Sequence, residues 1–232
     1  MSDDEKKSLK DIQDIILELE SDLTFEIVGK EISAISKLPF KVIALVHALH
    51  HRAMDLAKSS YEQYEQKSFL SSAILIRSLM ETVALVFLLY KKLHQVNEEK
   101  KIGEIDEFLM NSTFGGRTED STLTSPNILT AIDHTNKKYD KFRQMYDSLS
   151  EFVHPNWFGT SGLYSKLDDD EIGAMKGKVS FGKNVNSEAP KFILAPYFTA
   201  LVVLRITFSD LAKNFDEFIK IAEDDIKNQN HT

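Results

Sequence analysis

The stretch FLSSAILIRSLMETVALVFLLY, residues 69–90, decides the fold, because it is apolar around the whole helix and carries only two charges. Its length would suit a membrane span, but Arg77 and Glu81 would each cost about 2.5 to 3.5 kcal/mol at mid-bilayer depth. A helix of this composition is typical of the centre of a bundle, covered on all sides by protein. The sequence therefore predicts a central helix over about residues 67–96 and no membrane contact.

Apolar residues recur at three- and four-residue spacing through most of the chain, which predicts an all-α fold. We expect a bundle of five to six long helices, over about residues 4–27, 39–66, 67–96, 98–111, 126–154 and 191–227. Since the chain has no internal repeat, it is expected to be one domain over residues 1–232. Its core is expected to comprise residues 40–154 and 190–227, with residues 155–189 inserted as a loop.

This long loop between the last two helices has five glycines and an acidic run at Asp168–Glu171. Long connections of this kind are often functional, as a lid or as a binding loop that could recruit a protein partner. Within it, Leu163–Ser165 and Lys178–Phe181 are predicted to pair as a small β-hairpin. The two most apolar helices, the third and the last, indicate either a bundle of five or more helices or a helical dimer interface, and we expect a homo-oligomer.

Composition excludes several classes of protein. With no cysteine, the chain has no disulfide, thiolate metal site or cysteine nucleophile. A net charge of −8 argues against a global basic surface for nucleic acid, so RNA would need a local patch such as Lys137–Arg143, where cations alternate with aromatics. The N-terminus is charged and leads into an amphipathic helix, so no secretory signal is visible and a cytoplasmic protein is expected.

Arg77 and Glu81 are the first candidate functional residues. They lie four apart in an apolar helix and so share a face. Charges in such a place must be paired, hydrogen-bonded or open to a polar cavity. The pair is therefore either a structural ion pair or part of a functional cleft.

The predicted helix over residues 126–154 ends in a second group of candidates. Tyr146, Ser150 and His154 follow at steps of four and form one row, in which His154 could exchange a proton near neutral pH. Pro155 makes His154 the expected last helical residue, where its ring could instead cap carbonyls and pack against Trp157. The Gly-x-Ser-x-Gly elbow of serine hydrolases is absent.

A third set, His47, His51 and Asp55, has the four-residue spacing of metal ligands on one helix face. Neither HExxH nor the paired Glu-x-x-His pattern of di-iron bundles is present. These side chains are better interpreted as surface residues. The sequence predicts no metal or other cofactor.

Ile76–Glu81 and Tyr146–Pro155 together resemble the motifs of a bacterial family of uncharacterised helical proteins, which are themselves similar to the HEPN superfamily. The resemblance covers about residues 40–160. It implies a bundle of long antiparallel helices that often dimerises. In active members it implies a metal-independent ribonuclease used in phage defence, toxin systems or RNA processing.

The active members carry an arginine, four to six further residues, and a histidine. Here Asp147, Ser148 and Leu149 occupy the arginine positions before His154, so the resemblance implies that Arg77 would have to supply the cation. Two functions stay open. One is an RNA-directed HEPN-like protein of bacterial defence or regulation, with Arg77, Glu81 and His154 at its site and Tyr146 and Ser150 supporting them. The other is a non-catalytic interaction or structural module.

Overall fold

The computed structural model describes residues 2–116, 118, 120–168, 178–183 and 191–229. Within those ranges the chain forms helices and one antiparallel hairpin, which confirms the mostly helical fold with a somewhat higher helix count than expected. In chain order the elements are α1 (Asp3–Ser21), α2 (Gly29–Ile32), α3 (Leu38–Glu65), α4 (Phe69–Glu99), α5 (Ile105–Phe114), α6 (Ile128–Lys138), α7 (Phe142–Val153), α8 (Ser161–Tyr164), β1 (Ser165–Asp168), β2 (Lys178–Phe181) and α9 (Lys191–Gln229).

Helix α4 is the centre of the bundle, as its apolar sequence predicts. It packs most extensively against α9 and α3, and also against α6, α7 and α5. Its inner side chains, among them Ile76, Leu79 and Met80, are fully buried. It is not covered on all sides, however, because Ile74 is 44% exposed. The face that carries Arg77 is also only partly covered, which is where a polar cluster can lie.

Several helix boundaries differ from the expected ones. Helix α1 begins at a capping box, in which Ser2 and Glu5 bond reciprocally, but it ends at Ser21 rather than at residue 27. Helix α4 continues through residues 98–99, which were assigned to the next helix, and ends with Lys100 at φ +53°. Consequently α5 begins only at Ile105.

The single helix expected over residues 126–154 is broken into α6 and α7. Tyr139 is extended at φ −117° and ψ 95°, and Lys141 has φ +67°. The side chain of Asn136 accepts a hydrogen bond at 3.0 Å from the backbone N–H of Arg143, replacing a helical carbonyl. The break lets α7 turn its own face to the core, where Phe142 is fully buried.

The loop between α7 and α9 contains α8 and the small hairpin. The hairpin is confirmed, with Ser165 opposite Phe181 and Leu167 opposite Val179. Its first strand begins two residues later than expected, because 163 and 164 close α8. The acidic run beyond residue 168 lies outside the described residues.

Helices α4 and α9 are both long and apolar enough to cross a membrane. The most apolar window of α4 is 61% buried and that of α9 50% buried. This is weak evidence for a span, since the core helix of a soluble protein has the same length and composition. The cytoplasmic location stays a prediction.

Candidate functional site

The candidate site lies between α4 and α7. Arg77 and Glu81 are one turn apart on α4, and Tyr146 and Ser150 are one turn apart on α7. Both pairs are at the contact between the two helices, although they lie about 70 residues apart along the chain. The structure thus brings four of the five predicted site residues together.

Hydrogen bonds join these four side chains. The Arg77 Nε–H donates to Ser150 Oγ at 2.9 Å, and Nη2 donates to the Tyr146 hydroxyl at 2.9 Å. That hydroxyl donates in turn to Glu81 Oε1 at 2.8 Å. Arg77 Nη2 also lies 3.5 Å from the same Glu81 oxygen, so the expected ion pair forms. We call these four residues the α4–α7 cluster.

Within the α4–α7 cluster both hydroxyl hydrogens are already used. Ser150 donates to the backbone carbonyl of Tyr146 at 2.9 Å, while Tyr146 donates to Glu81. The guanidinium also lies 5.1 Å from the centre of the Tyr146 ring, in cation–π range. Burial raises the pKa of Tyr146, and the bond to Glu81 raises it further, while Arg77 acts in the opposite direction. No hydroxyl in this arrangement is set up as a nucleophile.

The cluster is less enclosed than the sequence suggests. The side chain of Arg77 is 34% exposed and that of Glu81 is 27% exposed. The Arg77 Nη1 and the second Glu81 oxygen have no hydrogen-bond partner among the residues that the structure describes. Water therefore reaches one side of the ion pair, which lowers the cost of burying it.

His154 does not join the α4–α7 cluster. Helix α7 ends at Val153, and His154 is extended at φ −69° and ψ 146°, consistent with the preference of a residue before proline. Its backbone N–H donates to the Ser150 carbonyl at 3.0 Å, but its exposed ring has no hydrogen bond or ion pair within the described ranges. Since His154 has left the helix, the row of side chains at four-residue steps ends at Ser150. The expected meeting of the Arg77 cation and this imidazole is not observed.

The residues after α7 do not cover the His154 ring. The Trp157 ring contacts the Phe158 ring at 5.2 Å, and the two side chains are 66% and 54% exposed. The expected packing of His154 against Trp157 is likewise not observed among these ring contacts. This end of α7 therefore presents aromatic surface to solvent.

Two of the four cations in the local basic patch expected for RNA are paired with carboxylates. Arg143 pairs with Asp133 at 2.7 Å and with Asp147 at 2.9 Å. Lys138 pairs with Asp210 at 3.1 Å and lies over the ring of Tyr90. Cations engaged in this way offer less to a phosphate backbone.

The residues of the possible metal site on α3, His47, His51 and Asp55, are not arranged as metal ligands. His51 Nε2 donates to the Thr24 carbonyl at 2.9 Å, so that nitrogen is not free to ligate, and Asp55 is exposed. Among the described residues, no group of three His, Asp or Glu side chains is arranged to hold a metal ion.

A cavity that was not predicted from the sequence lies between α3 and α9. His47 and His50 face this cavity of about 320 Å³, together with Phe208 of α9. The available signal was their three-residue spacing on the apolar face of α3, which places them on the inner side of the helix. The sequence pattern had suggested only a surface position for His47 and no role for His50.

The chain matches no family model, no curated protein and no solved structure at a significant level.

Proposed function

We propose that this chain is a non-catalytic interaction module of HEPN-like helical type, which associates with a second copy of itself through its β-hairpin. The observation that carries the proposal is the exposed apolar face of the hairpin. Leu167 is 45% exposed, Val179 43% and Phe181 78%. Phe181 lies opposite Ser165 and Val179 lies opposite Leu167, so these four residues share one face of the hairpin. The three apolar side chains therefore form one continuous surface.

The hairpin makes few contacts with the rest of the bundle among the described residues. Within the described residues, the substantial contacts of its strands are with each other and with α8. At its base, the Gly182 N–H bonds to the Tyr164 carbonyl, and Lys183 Nζ donates to Ser68 Oγ at 2.8 Å. A two-stranded hairpin alone is marginally stable in water, so packing of its apolar face against another surface would stabilise it.

The same chain has a second exposed apolar surface, on α9, against which the hairpin of another copy could pack. Along α9, Phe192, Phe198 and Ile206 are 62%, 40% and 38% exposed and, at about 100° per residue, fall within about 120° of the helix circumference. In a two-fold dimer, the hairpin of each copy can pack on the α9 stripe of the other, giving two identical contacts. Exposed aromatic side chains of this kind are enriched in the cores of protein interfaces.

The α4–α7 cluster then has a positioning role. It fastens the last turn of α7 to the central helix, so it fixes the point from which the chain leaves for the hairpin. Its hydroxyls are hydrogen-bonded internally and His154 stands apart from it, which favours this role over catalysis. RNA as the target stays a prediction.

The test is the oligomeric state measured by analytical ultracentrifugation. We expect a dimer for the unmodified chain and for Phe114→Asp, a matched control at a phenylalanine that is 69% exposed on α5. Phe181→Asp should be a monomer with unchanged helicity. A monomeric unmodified chain, or a Phe181→Asp variant that stays dimeric, would refute the proposed interface.

A disulfide test locates the contact. Because the chain has no cysteine, a Leu167→Cys variant and an Ile206→Cys variant each carry a single thiol. Mixed and oxidised, they should form the mixed disulfide in preference to either homodimer. A random distribution of the three products would contradict pairing of the hairpin with the α9 stripe.

The non-catalytic part is tested separately with total RNA. We expect no cleavage above background for the unmodified protein, and no difference from Arg77→Ala or His154→Ala. Cleavage that both substitutions abolish would overturn this part of the proposal and support the ribonuclease alternative.

A further inference from the structure

The cavity between α3 and α9 is separate from the α4–α7 cluster and from the proposed interface. Its volume is about 320 Å³, at the small end of the range of about 300–1,000 Å³ for ligand pockets. The walls are mainly apolar, and the side chains that matter most are Val42, Val46, Phe208, Leu211 and Phe215. Such walls suit the apolar body of a ligand about as large as one aromatic ring with a short chain.

Polar groups with unused bonding capacity also line this cavity. His50 is only 4% exposed, its ring lies 4.5 Å from that of Phe208, and its Nε2 has no hydrogen-bond partner among the described residues. The buried Nδ1 of His47 is likewise unpartnered there. A buried polar atom without a partner is unusual in a folded protein and points to a ligand that supplies one.

The charges around the cavity are negative. Asp22, which follows α1, and Asp216 of α9 both line it, are exposed, and form no ion pair within the described ranges. Burial lowers the pKa of His47, and the neighbouring His51 lowers it further. Burial is also the main cause of the lowered pKa of His50. Both rings are therefore neutral at pH 7, and each offers a lone pair.

The Leu19 carbonyl raises the pKa of His50, which partly opposes the effect of burial. This carbonyl does not form a hydrogen bond of normal geometry with His50 Nε2, which has no partner among the described residues. The cavity thus combines carboxylates and neutral imidazoles around apolar walls. This set is rich in acceptors, and it complements a cationic group that carries several N–H donors.

We propose that this cavity binds a small organic ammonium ion with an apolar body, of the arylalkylamine class. The ring of the ligand packs between Phe208 and Phe215. Its ammonium group lies against Asp22 and Asp216 at the mouth, within reach of the histidines that line the wall.

The test is titration of the full chain with 2-phenylethylamine, followed by protein NMR. Two matched compounds separate the contributions, since 2-phenylethanol lacks the charge and ethylamine lacks the ring. We expect saturable shifts confined to the cavity, with a Kd of about 1 mM or tighter, and binding of each matched compound weaker by about tenfold or more. Asp216→Asn should weaken the amine by about tenfold, whereas Asp14→Asn, an exposed aspartate of α1 outside the cavity, should leave it unchanged.

A filling variant tests the location independently of charge. Ala212 lines the cavity and is exposed, so Ala212→Trp can fill the space without disturbing the core. We expect this variant to keep its helicity and to lose binding. Unchanged affinity in Ala212→Trp, equal affinity for 2-phenylethanol, or the lack of saturable shifts at about 10 mM amine would each overturn the proposal. None of these results depends on whether the chain dimerises.

Discussion

Replacing Tyr146 with phenylalanine removes one oxygen atom from the centre of the α4–α7 cluster. The residue is 2% exposed, and we expect the variant to keep the packing of the ring and its cation–π contact with Arg77. Two hydrogen bonds are lost, one accepted from Arg77 and one donated to Glu81. The substitution therefore measures the polar network without creating a large cavity.

The magnitude follows from these two bonds and their exposure. A hydrogen bond to a charged partner contributes about 1.5 to 3 kcal/mol. Both charged partners of Tyr146 are partly exposed, at 34% and 27%, so water replaces part of what is lost, and their own contact at 3.5 Å remains. We expect the free energy of unfolding to fall by about 2 kcal/mol. This is less than the loss of about 3 to 5 kcal/mol that a fully buried pair would give.

Tyr139→Phe is the matched control. The Tyr139 hydroxyl is buried and has no hydrogen-bond partner among the described residues. Removing an unpaired buried hydroxyl should leave stability unchanged or raise it by up to about 1 kcal/mol. The same chemical change should thus destabilise the chain on α7 but not at the break before it.

The assay is urea unfolding of the two variants and the unmodified chain, analysed by linear extrapolation. With an m-value of about 2 kcal/mol/M, Tyr146→Phe should lower the midpoint by about 1 M. A loss below about 0.5 kcal/mol, or an equal loss in Tyr139→Phe, would refute the positioning role of the cluster.

Three further predictions concern packing, backbone and pH. Ser60 and Ser72 bond reciprocally where α3 meets α4, so Ser72→Val should cost about 2 kcal/mol by urea unfolding, through lost hydrogen bonds and overpacking. Lys141→Gly should raise stability by about 1 kcal/mol in the same assay, because φ is +67° there and only glycine adopts it freely. The pKa of His50 is lowered from 6.5, so below pH 6.5 the unfolded state binds more protons and stability falls until the pH passes the folded pKa. His50→Phe should therefore flatten the decrease in melting temperature between about pH 6.5 and 5, and an unchanged slope would contradict a buried neutral ring.

The central helix could be predicted from sequence because residues 69–90 are apolar on nearly every face, and such a helix is stable only when other helices surround it. The break at Tyr139 could not. The apolar spacing continues through Phe142 and Tyr146, so the pattern predicts one helix. The break is stabilised by a hydrogen bond from the Arg143 backbone N–H to the Asn136 side chain and by the left-handed conformation of Lys141. Neither feature can be predicted from helix propensity.

Much of the candidate site was predictable for a related reason. Two charges in an apolar helix require partners, and Tyr146 and Ser150 were the polar side chains on a second apolar face. The position of His154 could not be predicted, because its extended backbone takes its ring away from the line of Tyr146 and Ser150 on α7. The exposure of Arg77 was also not predictable, because it depends on how far α7 covers α4.

That exposure bears on how the cluster should be interpreted. A guanidinium tied to Ser150 and Tyr146 holds α7 in register with α4, and it can do so at little cost because its open side stays in water. Only four residues separate Ser150 from Pro155, where the chain turns towards α8 and the hairpin. In the proposed positioning role, an anchor this close to the end of α7 fixes the direction in which the chain leaves that helix. The same geometry accounts for two charges in an apolar helix, because their bonds hold α7 in place while their open side stays in water.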